Sequence, residues 1–279
     1  MEPEYSLADQ PARFAKAKAD NNRRVLDIDS VYDGTYLKDL AVLVTGANRG
    51  IGLALTKELL SQGARVVASV RKPGDELSAM VGPDVPLEIH TGIDVTQESA
   101  TAKLAANLSG PLDIVINNAG YFYEPLETLK NLNFTEELRM IDICALGPLR
   151  VTAALYNAGQ IKAPGGKVAM ITSQGGSIAW RTTQNPKGGD YGHHMSKTAA
   201  NMMSVLLSQE LKQDGISVSV LHPGFNKTDM TSKYESIWEE EGAVDVGIGA
   251  RRILHEIGRQ SLATTGQFIN CEDGLQIPW

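Results

Sequence analysis

Cysteine is almost missing from this sequence: Cys144 and Cys271 are the only two among 279 residues. Two distant thiols frame no disulfide scaffold, so a reducing, cytoplasmic setting is expected. Positive charge is in deficit as well. Lys and Arg number 26 against 33 Asp and Glu, a formal charge of -7, and a nucleic-acid partner normally demands a clustered basic surface. Long apolar runs are absent too. None approaches the ~20 residues that cross a bilayer, and the N-terminus lacks the apolar stretch of a secretory signal, so no membrane partner is expected. What remains, 42% hydrophobic and 21% charged residues, is close to the average for folded chains and argues against global disorder.

Residues 1–37 read as an N-terminal extension, polar, with a short helix over Ala12 to Asp20 after Pro11. Glu2, Glu4 and Asp9 speak against an organelle presequence, and the extension is expected to pack on the body or on a neighbour. Residues 38–279 read as one domain. From Leu40 onward, apolar runs alternate with helix-length segments: Ala41 to Thr45, Arg65 to Ser69, Leu87 to His90, Asp113 to Asn117, Lys167 to Thr172 and Ile216 to Leu221. Near-continuous β-branched runs suit strands covered on both faces. Helices are expected over Ile51 to Gln62, capped by Gly63, over Glu136 to Ala158, and over 191–212. Strand-helix repetition gives right-handed crossovers and hence a Rossmann-type, doubly wound parallel α/β sheet.

The first run leads into Thr45-Gly46-Ala47-Asn48-Arg49-Gly50-Ile51-Gly52, and a helix follows. Glycines at a strand-to-helix turn let backbone approach a pyrophosphate, and the helix N-terminus offers it unpaired N–H groups. At the end of the second strand an acidic side chain would bind a ribose 2′-hydroxyl, but this chain has Arg71-Lys72. With Arg49 inside the loop, these charges favour NADP(H) over NAD(H).

These residues resemble the cofactor loop of the short-chain dehydrogenase/reductase family, and further motifs follow in that family's order over about residues 40–279. Asp94-Val95 resembles its adenine-binding pair, Asn117-Asn118-Ala119-Gly120 the motif closing its fourth strand, and Pro223-Gly224 with Thr228-Asp229-Met230 its nicotinamide-side loop. The stretch from Thr265 to Trp279 is similar to the terminus of C-factor and sniffer-like carbonyl reductases. The resemblance implies NADP(H) held by Gly46, Asn48, Arg49, Gly50, Ile51, Gly52, Arg71, Lys72, Asp94, Val95, Asn118, Ala119, Gly120, Lys197, Pro223, Gly224, Thr228 and Met230. It also implies a homodimer or homotetramer built on the helices around 136–158 and 191–212.

The family's catalytic set is a Ser, a Tyr, a Lys four positions later and an Asn. Ser173 and Lys197 match, but the position four before Lys197 is His193, and Cys144 stands where the Asn falls. On a helix of about 100° per residue, His193 lies ~40° from Lys197, whereas Tyr191 lies ~120° away. His193 is therefore the expected acid or orienting group. Tyr191 replaces it only if the helix starts after that residue. Around them Tyr121, Tyr123, Gln174, Trp180, Phe225 and Trp238, the last in the family's lid region, are candidate substrate contacts.

The expected function is NADPH-dependent hydride transfer to a polar double bond of a small molecule. An imine is preferred over a carbonyl, because a protonated imine needs no donor at the reacting heteroatom. No metal enters this reading. Alternatives are an ordinary carbonyl reductase using His193 or Tyr191, an NADP(H)-binding regulatory protein, and a non-redox lyase or isomerase.

Overall fold

A computed structural model describes residues 4–279. The chain opens with helices α1 (Gln10–Ala19) and α2 (Arg23–Leu26) and then alternates: β1 (Ala41–Thr45), α3 (Gly50–Ser61), β2 (Arg65–Ser69), α4 (Asp75–Ala79), β3 (Leu87–His90), α5 (Glu98–Asn107) and β4 (Ile114–Asn117). Next come α6 (Phe134–Ile141), α7 (Gly147–Asn157), β5 (Lys167–Ile171), α8 (Arg181–Gln184), α9 (Tyr191–Leu211) and β6 (Ser217–His222). The two-residue strands β7 (Asn226–Lys227) and β8 (Val244–Asp245) flank α10 (Trp238–Glu241), and α11 (Val246–Arg259) and β9 (Phe268–Asn270) close the fold.

The main sheet runs β3-β2-β1-β4-β5-β6-β9, and every pairing in it is parallel. The six expected strands form with ends moved by about a residue, and β9 joins them. Alternation along β1 explains the layers: Val42 and Val44 enter one core, with α3 and α11, while Ala41 and Leu43 enter the other, with α5, α7 and α9. Crossovers leave β1 in one direction and β4 in the other. The crevice between their C-terminal ends is the switch point where such sheets bind ligands.

The helix expected over Glu136 to Ala158 is interrupted. Between α6 and α7, residues Asp142–Leu146 form a π-helical turn in which the Gly147 N–H reaches back to the Asp142 carbonyl. Pro148 explains this, because its missing N–H leaves the Cys144 carbonyl without the ordinary donor four residues on.

The N-terminal segment packs on the chain's own body. Asp9 caps α1 by accepting from the Ala12 N–H at 2.8 Å, and α1 lays Arg13 against Glu272 at 2.9 Å, both side chains 5% exposed. Burial alone would raise the Glu272 carboxyl. Arg13, with His222, Arg252 and the Phe225 N–H, outweighs burial and holds it down at about 2.

Arg13→Ala strands a buried carboxylate and should cost about 3–5 kcal/mol. Glu272 is depressed from an ordinary 4.5 to about 2, so the pair's contribution is complete above pH 4.5 and vanishes as pH falls through 2. Thermal denaturation at neutral and acid pH should therefore show the gap between wild type and variant closing over that window. A gap independent of pH would show that the ion pair does not hold the segment in place.

Candidate active site

The glycine turn is shaped so that only glycine fits it. Gly46 and Gly50 have φ of +66° and +52°, and a Cβ on Gly52 would lie 2.2 Å from the Gly46 carbonyl oxygen and 2.5 Å from Asn118 Nδ2. Arg49 precedes α3 without a side-chain cap, so the first-turn N–H groups of Gly50, Ile51 and Gly52 are left for a ligand. Behind the turn, the Thr45 hydroxyl accepts from the N–H groups of Asn118 and Ala119, each at 3.0 Å. The Asn118 amide donates to Thr45 O at 3.0 Å and to Gly46 O at 3.3 Å. Its side-chain N–H groups are spent on holding the loop. Gly120 stands open beyond it. Asn48 does similar work, accepting from the Gly74 N–H after β2.

Arg49, Arg71 and Lys72 are exposed, and none forms an ion pair with a described residue. Burial works against charge on Asp94, yet bonds from Thr96 and the nearby Arg71 and Arg139 hold its carboxyl below the usual range. Val95 is buried and packs against Gly147 of the π-turn junction. Across the crevice Gly224, φ +82°, seats against Glu272, whose carboxylate accepts from the Phe225 N–H at 3.1 Å. Thr228 caps the 3-10 turn Asp229–Ile237, and its methyl lies 3.7 Å from where a Cβ of Gly50 would stand. Met230 is exposed on that turn. A diphosphate-bearing dinucleotide fits this cradle: it has uncapped amides at its floor and unpaired cations at its rim.

Helix α9 carries both the histidine and the tyrosine. Gly188 and Gly189, φ +70° and +83°, and Asp190, φ +55°, form a left-handed approach, and the helix begins at Tyr191 itself. Tyr191 is therefore on the helix and turned away from Lys197, and its hydroxyl bonds to no described group. His193 and Lys197 share a face. Lys197 is half-buried and forms no ion pair with a described residue.

Ser173, after β5, accepts from the Gly175 N–H at 3.0 Å. A Cβ added to Gly175 would lie 2.9 Å from His193 Nε2, 3.2 Å from His194 Nδ1 and 3.2 Å from Ser173 Oγ, so three polar atoms converge on one bare α-carbon. The His193 ring meets Phe122 edge-on at 5.0 Å, and its Nδ1 is shut off from solvent with no partner. A buried lone pair is easier to leave bare than a buried N–H, which puts the neutral-state proton on Nε2. Burial first, then Lys197, His194, Arg181 and Lys233, push the imidazole well below its ordinary 6.5. Loss of solvent is the larger cause, and like-charge repulsion from Lys197 comes second. His194 is committed elsewhere, with Nδ1 2.9 Å from Gly175 O and Nε2 3.2 Å from Asn185 Nδ2.

Several sequence-based candidates take other places. Cys144, in the π turn, is buried and clasps the Tyr121 main chain, accepting from its N–H and donating to its carbonyl, both at 3.4 Å. Both of its sulfur contacts are thus made to main chain. Trp180 is not a cleft wall: at 5% exposure it packs with Val220, Phe268 and Ile277. Tyr121 gives its hydroxyl to Glu136 at 2.8 Å beneath Arg139, and Tyr123 accepts from Asn133 at 3.3 Å. Trp238 lies with its ring 5.8 Å from Lys227 Nζ. Gln174 is gripped by Arg13 at 3.2 Å. Phe122 and Lys233, the latter 4.0 Å above the Phe122 ring, were not anticipated. Nothing in the Tyr-Phe-Tyr triplet distinguishes the middle ring, and only the fold brings it to His193.

Residues 40–237 match the short chain dehydrogenase family, to which this chain belongs. A Rhodococcus sp. (strain AD45) protein, 1-hydroxy-2-glutathionyl-2-methyl-3-butene dehydrogenase, is 32% identical over 241 residues, covering 85% of this chain and 99% of the relative. Among solved structures, NADPH-bound carbonyl reductase from chicken fatty liver superposes with TM-score 0.77 at 28% identity, over 87% of this chain and all (100%) of that one. Carbonyl reductase Sniffer of D. melanogaster gives 0.74 at 26%, over 86% and 100%. Among the described residues no helix is long and apolar enough to cross a membrane.

A methyl group at Gly175 has nowhere to go except into His193 and Ser173. Gly175→Ala should lower turnover by about 10²-fold, the size expected for a 1 Å misplacement, while nucleotide affinity stays near wild type. A variant with undiminished turnover would show that the close approach of these two side chains is dispensable.

Proposed function

We propose that this protein is an NADP(H)-dependent oxidoreductase that moves a hydride to or from the carbon of a small molecule's polar double bond, with a carbonyl in first place. The convergence of Ser173 Oγ and His193 Nε2 on the Gly175 α-carbon carries this reading. Gly46 and the first-turn amides of α3 would hold the diphosphate. Arg49, Arg71 and Lys72 would hold the 2′-phosphate, and Asp94 and Val95 would line the adenine side. Ala119, Gly120, Lys197, Pro223, Gly224, Thr228 and Met230 would line the nicotinamide side. The chicken relative's NADPH-bound state and the unpaired rim cations support that choice. When bound, the cofactor supplies or accepts the hydride.

The chain's own residues handle the oxygen. The Ser173 hydroxyl and His193 Nε2–H donate to it, and a half-buried donor pair counts most where negative charge develops. The proton that completes the alcohol comes from His193 Nε2 in its protonated form, a minor species at neutrality. The missing Tyr and Asn favour an imine that arrives already protonated, and that reading keeps second place. The cationic groups facing His193, Lys197, Arg181 and Lys233, would repel an iminium and steady an alkoxide. The Rhodococcus relative is named for dehydrogenating a hydroxy compound, which agrees with a carbonyl-alcohol pair. Exposed Phe134, Leu138, Met202 and Leu206 on α6 and α9 support extending this reading to a homodimer or homotetramer.

Calorimetry should find NADPH bound at least ~10-fold more tightly than NADH, about 1.4 kcal/mol. Equal affinities would remove the 2′-phosphate assignment.

His193→Ala should cost about 10²-fold in reductive turnover with NADPH affinity unchanged, and Tyr191→Phe should be mild. Because the His193 pKa lies below 6.5, its protonated fraction falls about tenfold per pH unit above that value. Reduction of matched ketones and cyclic imines, followed by NADPH oxidation, should slow steadily from about pH 6.5 upward, with ketones ahead. A flat profile would leave His193 as a hydrogen-bond donor only, and faster imines would restore the protonated-substrate reading.

A further inference from the structure

Residues 4–37 precede the family-matched region, yet they reach into the neighbourhood of the site. We propose that this segment is a brace of the substrate site and that Arg13 is a positioning residue, setting Gln174 beside Ser173. The inference rests on the function proposed above.

Arg13 and Gln10 are 5% and 8% exposed, though they belong to a ten-residue surface helix. Arg13 meets the Glu272 carboxylate through Nε at 3.1 Å and Nη2 at 2.9 Å. The guanidinium is not spent there: Nη2 also reaches Gln174 Oε1 at 3.2 Å, and Gln174 Nε2 donates to Gln10 Oε1 at 3.4 Å. The side chain next to Ser173 is therefore held from both ends by α1. Glu272 passes the hold onward, since it accepts from the Phe225 N–H and seats Gly224 of the loop after β6.

The same helix fixes the segment that follows that loop. Gln10 Nε2 donates to Glu241 O at 3.1 Å, and the Phe14 ring occupies the space a Cβ of Gly242 would need, 2.6 Å from Cδ2. Three segments distant in sequence thus meet on one helix: the serine turn, the loop after β6 and the end of α10. A buried ion pair is weak evidence for stability, because well-packed apolar side chains often do as well; fixing one arrangement is the better-attested use. Here the fixed arrangement is that of the groups around Ser173.

Arg13→Ala leaves Glu272 unpaired and mixes positioning with instability, so the test is the double variant Arg13→Met with Glu272→Gln, which removes both charges of the pair together. In the full chain it should melt cooperatively near the wild-type temperature and bind NADPH within about twofold of wild type. Its ketone KM should rise ~10-fold or more with kcat changed much less. Hydrogen exchange in peptides spanning residues 173–181 should accelerate about tenfold. Arg13→Lys, which keeps a charge for Glu272 but loses the planar fork, should recover stability without recovering KM. A folded double variant with wild-type kcat/KM overturns the proposal, whatever exchange shows. If the wild type turns over no carbonyl, the proposed function fails, and exchange alone then judges the brace: unchanged exchange overturns it.

Discussion

The site depends on one stitch at the switch point of the sheet. β1 and β4 end side by side, and their turns would diverge if nothing joined them. The Thr45 hydroxyl takes two main-chain N–H groups from the β4 turn, while the Asn118 amide returns two N–H bonds to the carbonyls of Thr45 and Gly46. Buried donors and acceptors must be paired, and here each turn pairs the other's. The stitch places the floor of the nucleotide cradle, and the α-carbon of Ala119 presses so closely on Gly46 that an added Cβ would sit 2.9 Å from it.

The second determinant is desolvation on the far side of the crevice. Phe122 and Gly175 lie against the His193 ring, whose Nδ1 is shut off from solvent and has no partner. In such a place a neutral imidazole is the resting form, and nearby cations act at short range with little screening. The environment thus disfavours positive charge on the ring.

Much of this was legible in the residues. The β-branched runs gave six strands because strands buried on both faces leave little else to read, and the glycine turn was recognisable because it stood between a strand and a helix. The four-residue spacing of His193 and Lys197 was enough to put them on one face, and the helix start at Tyr191 keeps them there. The rest was set by tertiary packing. Cys144 looked like a catalytic position until the π turn aimed it at the Tyr121 main chain; Gly147-Pro148 was the signal for that turn. Trp180 looked like a wall, but aromatic rings in a core and in a cleft share one sequence signature. The contacts of residues 4–37 reach far along the chain, as between Arg13 and Glu272, separated by 259, and no local pattern reports those.

That separation has a consequence for the order in which the molecule is completed. Tyr5 pairs with Gln276 and Ser6 donates to Gln276 O at 2.9 Å, so residues made early dock on residues made much later. At ribosomal rates of about 5–20 residues per second, Arg13 waits on the order of ten seconds to a minute for Glu272 to be synthesised. Through that interval the sheet through β6 can assemble, while α1 lacks the surface it rests on. The glycine turn, the β4 turn and Gln174 itself are thus all synthesised well before Gln174 can be gripped by an Arg13 held on Glu272. The turn after Ser173 is finished by segments far apart in sequence meeting, once the residues around Glu272 have been made.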